Sequence, residues 1–335
     1  MIQRLMEAYW PDWNGSTVDG PTGWNNTTCF IHRVRENRRS VMRMYNTHRD
    51  KGKIQFELAV LNSLPQMPLS FKIPVPIIST SGDHVVQLSD GSDRYACLFA
   101  YIEGVRPEAD SIQSVLSFGE KTGELVNALA VCSVGMDPVY PPYYELLQSY
   151  PLCSEAFVLG FCQRPPQPLS DLRDALVILE EAYVDICGRL DSLKKLPQQL
   201  VHGDLNCSNL LVDAEESSKV VALLDFEFCT RDVRAMEPAV VISGSLGSEF
   251  ERELIKRFCE GFACRVRLSS EEITAIPFLM RLRMVDVFLH FMSRYIEGTD
   301  DVNVLREQVG SLAAGCKRLE HSHEWMDDML NQYLM

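Results

Sequence analysis

The stretch from Leu200 to Asp213, LVHGDLNCSNLLVD, followed by VVALLDFE, restricts the fold more than any other part of the chain. Two short apolar runs each deliver a carboxylate, Asp204 and Asp225, and Asn209 stands five residues after the first. A carboxylate emerging from an apolar strand is costly to bury unless a metal or a set of donors receives it. Taken singly, Asp204 and Asn209 fit a turn cap and Asp225 fits the end of a strand. Taken together, at this spacing and with strands on both sides, they fit a binding site.

Phosphoryl transfer asks a protein for that kind of set: a group that orients the attacking hydroxyl, and oxygen ligands for Mg²⁺ on the phosphates. Composition agrees with a small-molecule site. The net charge of −14 and pI near 5.0 argue against a nucleic-acid partner, which needs clustered Lys and Arg. An acidic surface tolerates a cationic small molecule. The eleven cysteines are scattered, with no CxxC pair and no zinc-like spacing, so the expectation is free thiols in a reducing cytoplasm. MIQRLMEAYWPDWN is amphipathic and lacks the pattern of a signal peptide. IPFLMRLRMVDVFLHFM is interrupted by Arg281, Arg283 and Asp286, so it reads as a core helix and no membrane partner is expected.

At 335 residues the chain has room for two lobes, each with its own core. Residues 2–10 read as a short helix stopped by Pro11. From Thr17 to about residue 103 the pattern is of roughly five strands with one helix after the third. TVDGPTGWNNTTCFIHRVR forms a hairpin around Gly23, Asn25 and Asn26, and RRSVMRMYNT forms the next strand. KGKIQFELAVLNSL has helical spacing, and FKIPVPIIS, HVVQLSD and RYACLFAYIEG read as short strands. Beyond Gly104 the texture is helical, over about 111–131, 143–149, 170–195, 248–264, 270–298 and 301–332. The strand signals there are confined to the quoted motif. The boundary falls at EGVRP, dividing the chain into 1–103 and 104–335.

HGDLNCSN followed by LLDFE resembles the aminoglycoside phosphotransferase and choline kinase superfamily, the small-molecule branch of the protein-kinase-like fold, with its H-G-D-x-x-x-x-N and I/L-D-F/W pattern. The resemblance runs from about Thr17 to Gly298 and is strongest over 200–227. It implies an α+β bilobal fold, with a small antiparallel-sheet N-lobe carrying one helix and a larger, mainly helical C-lobe. It implies ATP and Mg²⁺, a nucleotide-binding lobe at 1–103 and a catalytic and substrate-binding lobe at 104–335. Asp204 is then the catalytic base or hydroxyl orienter, Asn209 and Asp225 hold Mg²⁺, and His202 braces the loop. Arg43 stands where the family often has Lys, with Glu57 as its partner on the next helix. Arg can serve both carboxylate and phosphate, although the two cations are not equivalent.

Gly23, Asn25 and Asn26 would cover the phosphates, and backbone groups near Phe99 and Tyr101 would take the adenine edge. Asp232 and Glu237, in RDVRAMEPAV, fall near the two acids of the family's D-P-x-x-D-L-A segment, with one extra residue and Glu for Asp. They fit bracing of the loop or a helix cap better than ligation. Glu227 fits a supporting acid, a contact to an amine on the substrate, or a solvent-facing position. The acceptor is a small-molecule hydroxyl, and an amine-bearing acceptor agrees with the acidic chain. The LR-x-Y-like strand RMY and the late helices resemble homoserine-kinase-like members; aminoglycoside, choline, methylthioribose and other sugar acceptors stay open. The middle helices, with Glu145, Glu155, Asp171 and Asp174, would form the acceptor pocket. A protein kinase is disfavoured by the lack of a G-x-G-x-x-G hairpin and an A-P-E segment. A catalytically weak kinase-like binding or coat protein would leave the intact Asp204, Asn209 and Asp225 set unexplained.

Overall fold

Alternating β-branched and polar residues put the first strands into one antiparallel sheet, seen in a computed structural model that describes residues 2–23, 25–46, 50–108 and 111–335. Trp24, in the expected hairpin turn, and Thr47 lie outside the described residues. Helix α1 (Ile2–Glu7) precedes β1 (Gly15–Thr22), β2 (Asn26–Arg33) and β3 (Arg38–Tyr45). Helix α2 (Lys51–Ser63) follows, then β4 (Val85–Gln87) and β5 (Tyr95–Ala100), and the sheet order is β1-β2-β3-β5-β4. The expected five strands and inserted helix are present, but α1 stops short of Pro11 and FKIPVPIIS is no strand. Pro74 and Pro76 cannot donate to a ladder. The segment instead makes scattered bridges, with Ala100 N donating to Val75 O and Lys72 N donating to Val221 O.

One face of the sheet is covered by α1, whose Leu5 and Met6 pack with Ile31, Met42 and Leu98 in a small separate core. The other face looks into a cleft. Asp50 caps α2 by accepting from Gly52 N, and the helix buries Ile54, Phe56, Leu58 and Leu61 in the large core that continues through the rest of the molecule.

The remainder is mostly helical: α3 (Ile112–Val131), α4 (Leu146–Ser149), α5 (Glu155–Gln163) and α6 (Arg173–Leu193) precede the motif. Four short strands carry it: β6 (Gln198–Val201), β7 (Leu210–Val212), β8 (Val220–Leu223) and β9 (Thr230–Val233). These pair as two antiparallel ribbons, β6 with β9 and β7 with β8. Helices α7 (Met236–Ser243), α8 (Glu251–Ala263), α9 (Ser270–Ile296) and α10 (Val302–Leu334) complete the chain. Strand β9 and helices α5 and α7 are additions to the sequence reading. α7 is buried nearly all round, so it shows no amphipathic period.

Helices α3 and α8 touch backbone to backbone, which requires glycine: a Cβ on Gly119 would come within 2.2 Å of Phe258 O, and one on Gly261 within 2.0 Å of Leu116 O. A capping box between Ser269 and Glu272 opens α9, the helix whose inner face reaches the cleft. All eleven cysteines are free, as the lack of paired spacing predicts. No helix among the described residues is long and apolar enough to cross a membrane.

Candidate active site

A cavity of about 1150 Å³ lies between the five-stranded sheet and the helical part, lined among others by Arg43, Phe99, Tyr101, Asp204, Asn209, Asp225 and Glu227. The motif strands deliver its floor. After β6, Gly203 takes a positive φ of 81°, which turns the chain sharply and aims Asp204 into the cavity. Asn209 holds that aspartate in place: its Nδ2 donates to Asp204 O at 2.9 Å and to Asp204 Oδ2 at 3.2 Å. After β8, Asp225 itself sits in the left-handed region at φ 66°, a conformation that costs energy for a non-glycine residue and that surrounding structure must hold.

His202 couples the two turns. Its Nε2 is 3.0 Å from Leu224 O, and Asp204 N lies 3.3 Å from Nδ1, so the ring donates at Nε2 and accepts at Nδ1. Complete burial pushes its pKa down to about 4, which keeps the ring neutral in this brace. Glu237 accepts from His202 N and Gly203 N, and Asp232 accepts from Tyr143 N at 2.5 Å. Burial raises both carboxyls, to about 7. Both carboxylates are thus engaged by backbone N–H groups of the segments beside them.

From the sheet side, Arg43 Nη1 lies 2.8 Å from Glu57 Oε1 and 3.2 Å from Asp225 Oδ1. Glu57 is 2% exposed and also accepts from Tyr45 Oη at 2.9 Å. Burial raises the Glu57 carboxyl while Arg43 opposes that shift. The hairpin is tied differently from expectation. Asn25 and Asn26 turn their amide nitrogens onto the two oxygens of Glu227, at 2.9 and 2.7 Å. Glu227 is therefore buried at the hairpin, not solvent-facing, and burial pushes its pKa up to about 8. Arg294 of α9, paired with Asp300, also donates to Asn25 Oδ1 at 3.3 Å. Gly23, Phe99 and Tyr101 line the cavity, and Tyr101 N donates to Arg39 O at 3.4 Å.

The opposite end contains residues the sequence reading passed over. Arg283 Nη2 meets Asp204 Oδ1 at 2.5 Å, and its Nη1 reaches Tyr143 Oη at 2.8 Å and Asp286 Oδ2 at 3.4 Å. Tyr143 Oη donates onward to Gly203 O at 2.6 Å, and Tyr150 Oη donates to Asp286 Oδ1 at 2.8 Å. Burial raises Asp204, opposed by Arg283, and raises Asp286 to about 6. Arg283, Asp286, Val287, His290 and Phe291 all line the cavity, at offsets 0, 3, 4, 7 and 8 along α9. That periodicity was the available signal, but charges in an apolar helix read as interruptions. Of the middle segment, Tyr143, Gln148 and Tyr150 line the cavity, whereas Glu145, Glu155, Asp171 and Asp174 do not. Asp171 pairs at the surface with Arg306.

The donor set near Asp225 suits a small hard cation. Asn209 and Asp225 bring oxygen atoms that could hold such a cation, and among the described residues Asp225 Oδ1 is shielded from solvent without a hydrogen bond, with the Arg43 guanidinium 3.2 Å away. Among the described residues no three His, Cys, Asp or Glu side chains gather into a metal cage. A cation held by one carboxylate, one amide oxygen and the phosphates of a ligand needs no such cage, which is how Mg²⁺ is commonly bound.

A small antiparallel sheet over a helical body, with this loop between them, defines the bilobal kinase-like fold. Solved structures share it. An aminopropanol kinase associated with a microcompartment aligns with a TM-score of 0.69 at 16% identity, over 97% of this chain and 98% of its own. An aminoglycoside phosphotransferase from Alicyclobacillus acidocaldarius aligns with a TM-score of 0.67 at 14% identity, over 98% and 96%. An amicoumacin kinase in complex with AMP-PNP, Ca²⁺ and Ami gives 0.65 at 16%, over 96% and 93%. No curated protein matches the sequence. The chain belongs to the phosphotransferase enzyme family (APH), whose model matches residues 20–272, and it is a phosphotransferase enzyme of the small-molecule kind.

Proposed function

We propose that this chain is an ATP- and Mg²⁺-dependent kinase that phosphorylates a hydroxyl of a small metabolite, with an amino alcohol of the homoserine type as the first acceptor to test. Aminoglycosides, choline and sugars are the next acceptors in the same panel. The observation that carries the reading is the convergence of Asp204, Asn209, Asp225 and the Arg43–Glu57 pair on one cavity. In this reading residues 1–103 form the nucleotide-binding lobe and 104–335 the catalytic and acceptor-binding lobe, and the enzyme works in the cytoplasm, in keeping with its free thiols.

Asn209 and Asp225 would hold Mg²⁺, which when bound neutralises charge on the phosphate oxygens. Arg43 is kept in place by Glu57 through Nη1 and would offer its remaining N–H groups to the phosphates. Asp204 would accept a hydrogen bond from the acceptor hydroxyl and orient it for in-line attack, taking its proton as the new phosphate ester forms and the bond from the γ-phosphorus to the bridging oxygen breaks, releasing ADP. Arg283 and Asn209 fix the two oxygens of Asp204, so rate would come from alignment.

The acceptor end sets two carboxylates, Asp204 and Asp286, against one arginine. That surplus of negative charge supports an ammonium-bearing acceptor, and the fold shared with an aminopropanol kinase points the same way. The test is nucleotide turnover against an acceptor panel. Activity with an amino alcohol, lost in Asp204→Ala and Asp225→Ala while both variants stay folded, is the expected result. Turnover that survives both substitutions refutes the assignment.

A further inference from the structure

A second cavity, of about 840 Å³, opens where β3 begins and β5 ends, and its chemistry is the reverse of the chain as a whole. In a protein of net charge −14, its charged lining is Arg33, Arg38 and Arg39 against Glu103. Two of the guanidinium groups sit over aromatic rings: Arg33 at 4.4 Å from the centre of the Trp10 ring, and Arg39 at 4.2 Å from that of Tyr101. Packing over a ring restricts each group while its polar N–H groups stay able to meet an anion.

Carboxylates already temper two of these charges. Arg33 pairs with Glu36 and lies 3.9 Å from Asp12, and Arg39 pairs with Glu103. Arg38 is exposed and has no carboxylate within ion-pair distance among the described residues. The pocket shares Ala100 and Tyr101 with the main cavity, so the two sites flank the same end of β5.

We infer that this cavity is a binding site for a small phosphate-bearing molecule, separate from the main cleft. Arg38 adds one charge that no carboxylate among the described residues offsets, and Arg33 and Arg39 keep N–H groups beyond those their carboxylates take, so the several oxygens of a phosphate can accept from more than one fork.

Pyrophosphate is a suitable probe, titrated calorimetrically onto the whole chain without added metal. The wild type should bind it at the second cavity, and Arg38→Glu should weaken that binding about tenfold or more, since one charge-assisted contact is replaced by a repulsive one. Arg38→Glu breaks no ion pair, so its melting temperature should match that of the wild type. Arg38→Glu/Arg39→Glu should abolish the same binding event, whereas Arg43→Gln in the main cleft should leave it in place. Equal affinity in wild type and Arg38→Glu overturns the proposal. So does binding that only Arg43→Gln removes, or a wild-type affinity weaker than about 10 mM. A phosphate on a lipid headgroup is distinguished by sedimentation with phosphoinositide vesicles. Co-sedimentation that depends on Arg38, with no binding of pyrophosphate, overturns the small-molecule assignment.

Discussion

Each end of the main cavity places one arginine between two carboxylates, and the two arginines are spent differently. Arg43 meets both Glu57 and Asp225 through the single nitrogen Nη1, and its Nε and Nη2 have no hydrogen-bond partner among the described residues. Arg283 divides its nitrogens, Nη2 to Asp204 and Nη1 to Tyr143 and Asp286. The first arrangement keeps donors in reserve and suits a ligand that arrives with negative charge. The second is largely satisfied within the protein and acts as a clamp on the side chain it touches. On the proposed function, the same residue type serves as a receptor at one end and as a positioning group at the other, and the difference lies in how many of its donors the protein consumes.

The comparison can be broken most sharply at Asp204. Asp204→Ala is expected to reduce turnover by about 10²- to 10⁴-fold, the usual worth of a positioned acid or base, with little change in nucleotide affinity. Steady-state kinetics with a measured nucleotide Kd checks this. A loss confined to KM would move Asp204 from chemistry to binding.

Arg283→Leu should come next, and should be felt first as instability. It leaves Asp204 and Asp286 facing each other without their shared cation, at a cost of about 3–5 kcal/mol, as for other buried pairs that lose one partner. Denaturant unfolding measures it. Arg283→Lys should restore part of the stability but not the two-pronged grip on Asp204 and Tyr143. If Arg283→Leu unfolds at the wild-type midpoint, the clamp has no energetic content.

Arg43→Lys is expected to be milder: about a tenfold change in nucleotide KM, with stability nearly kept, because a lysine can still reach Glu57. A change in kcat with an unaltered KM would contradict the view of Arg43 as a receptor.

The smallest effect concerns Glu237, which braces the turn that aims Asp204. Its folded pKa of about 7 lies above the ordinary glutamate value of 4.5, so the folded state binds the proton more tightly than the unfolded state does. This contribution is fully present at low pH and is lost as pH rises from about 4.5 to about 7. Melting temperatures of wild type and Glu237→Gln at pH 5 and pH 7.5 test the sign: the variant should show the shallower fall. A steeper fall in the variant would reverse the assignment.

How much of this was legible beforehand depends on distance along the chain. Asp204, Asn209 and Asp225 lie within a short span, and their spacing is imposed by two tight ribbons and one turn, so local pattern suffices. Arg43 and Glu57 are one strand and one helix apart and are readable for the same reason. The hairpin residues were found, but not their engagement, since Asn25 and Glu227 are separated by 202 positions. FKIPVPIIS alternates like a strand, yet its prolines remove the donors a ladder needs. Helix α7 has no polar face to announce it. Arg283 and Asp286 were seen only as breaks in an apolar helix, because their meaning comes from what they face.

Sequence alone determined the kinase-like class of fold, the three side chains around the loop and the cation–carboxylate pair opposite, because short-range geometry admits few ways to present those groups. Tertiary structure alone decided that Glu227 holds the hairpin, that α9 walls one end of the main cavity, and that Arg283 secures Asp204. These contacts join segments tens to hundreds of residues apart, and only the packing of α9 and the hairpin against the loop brings their charges within a few ångströms.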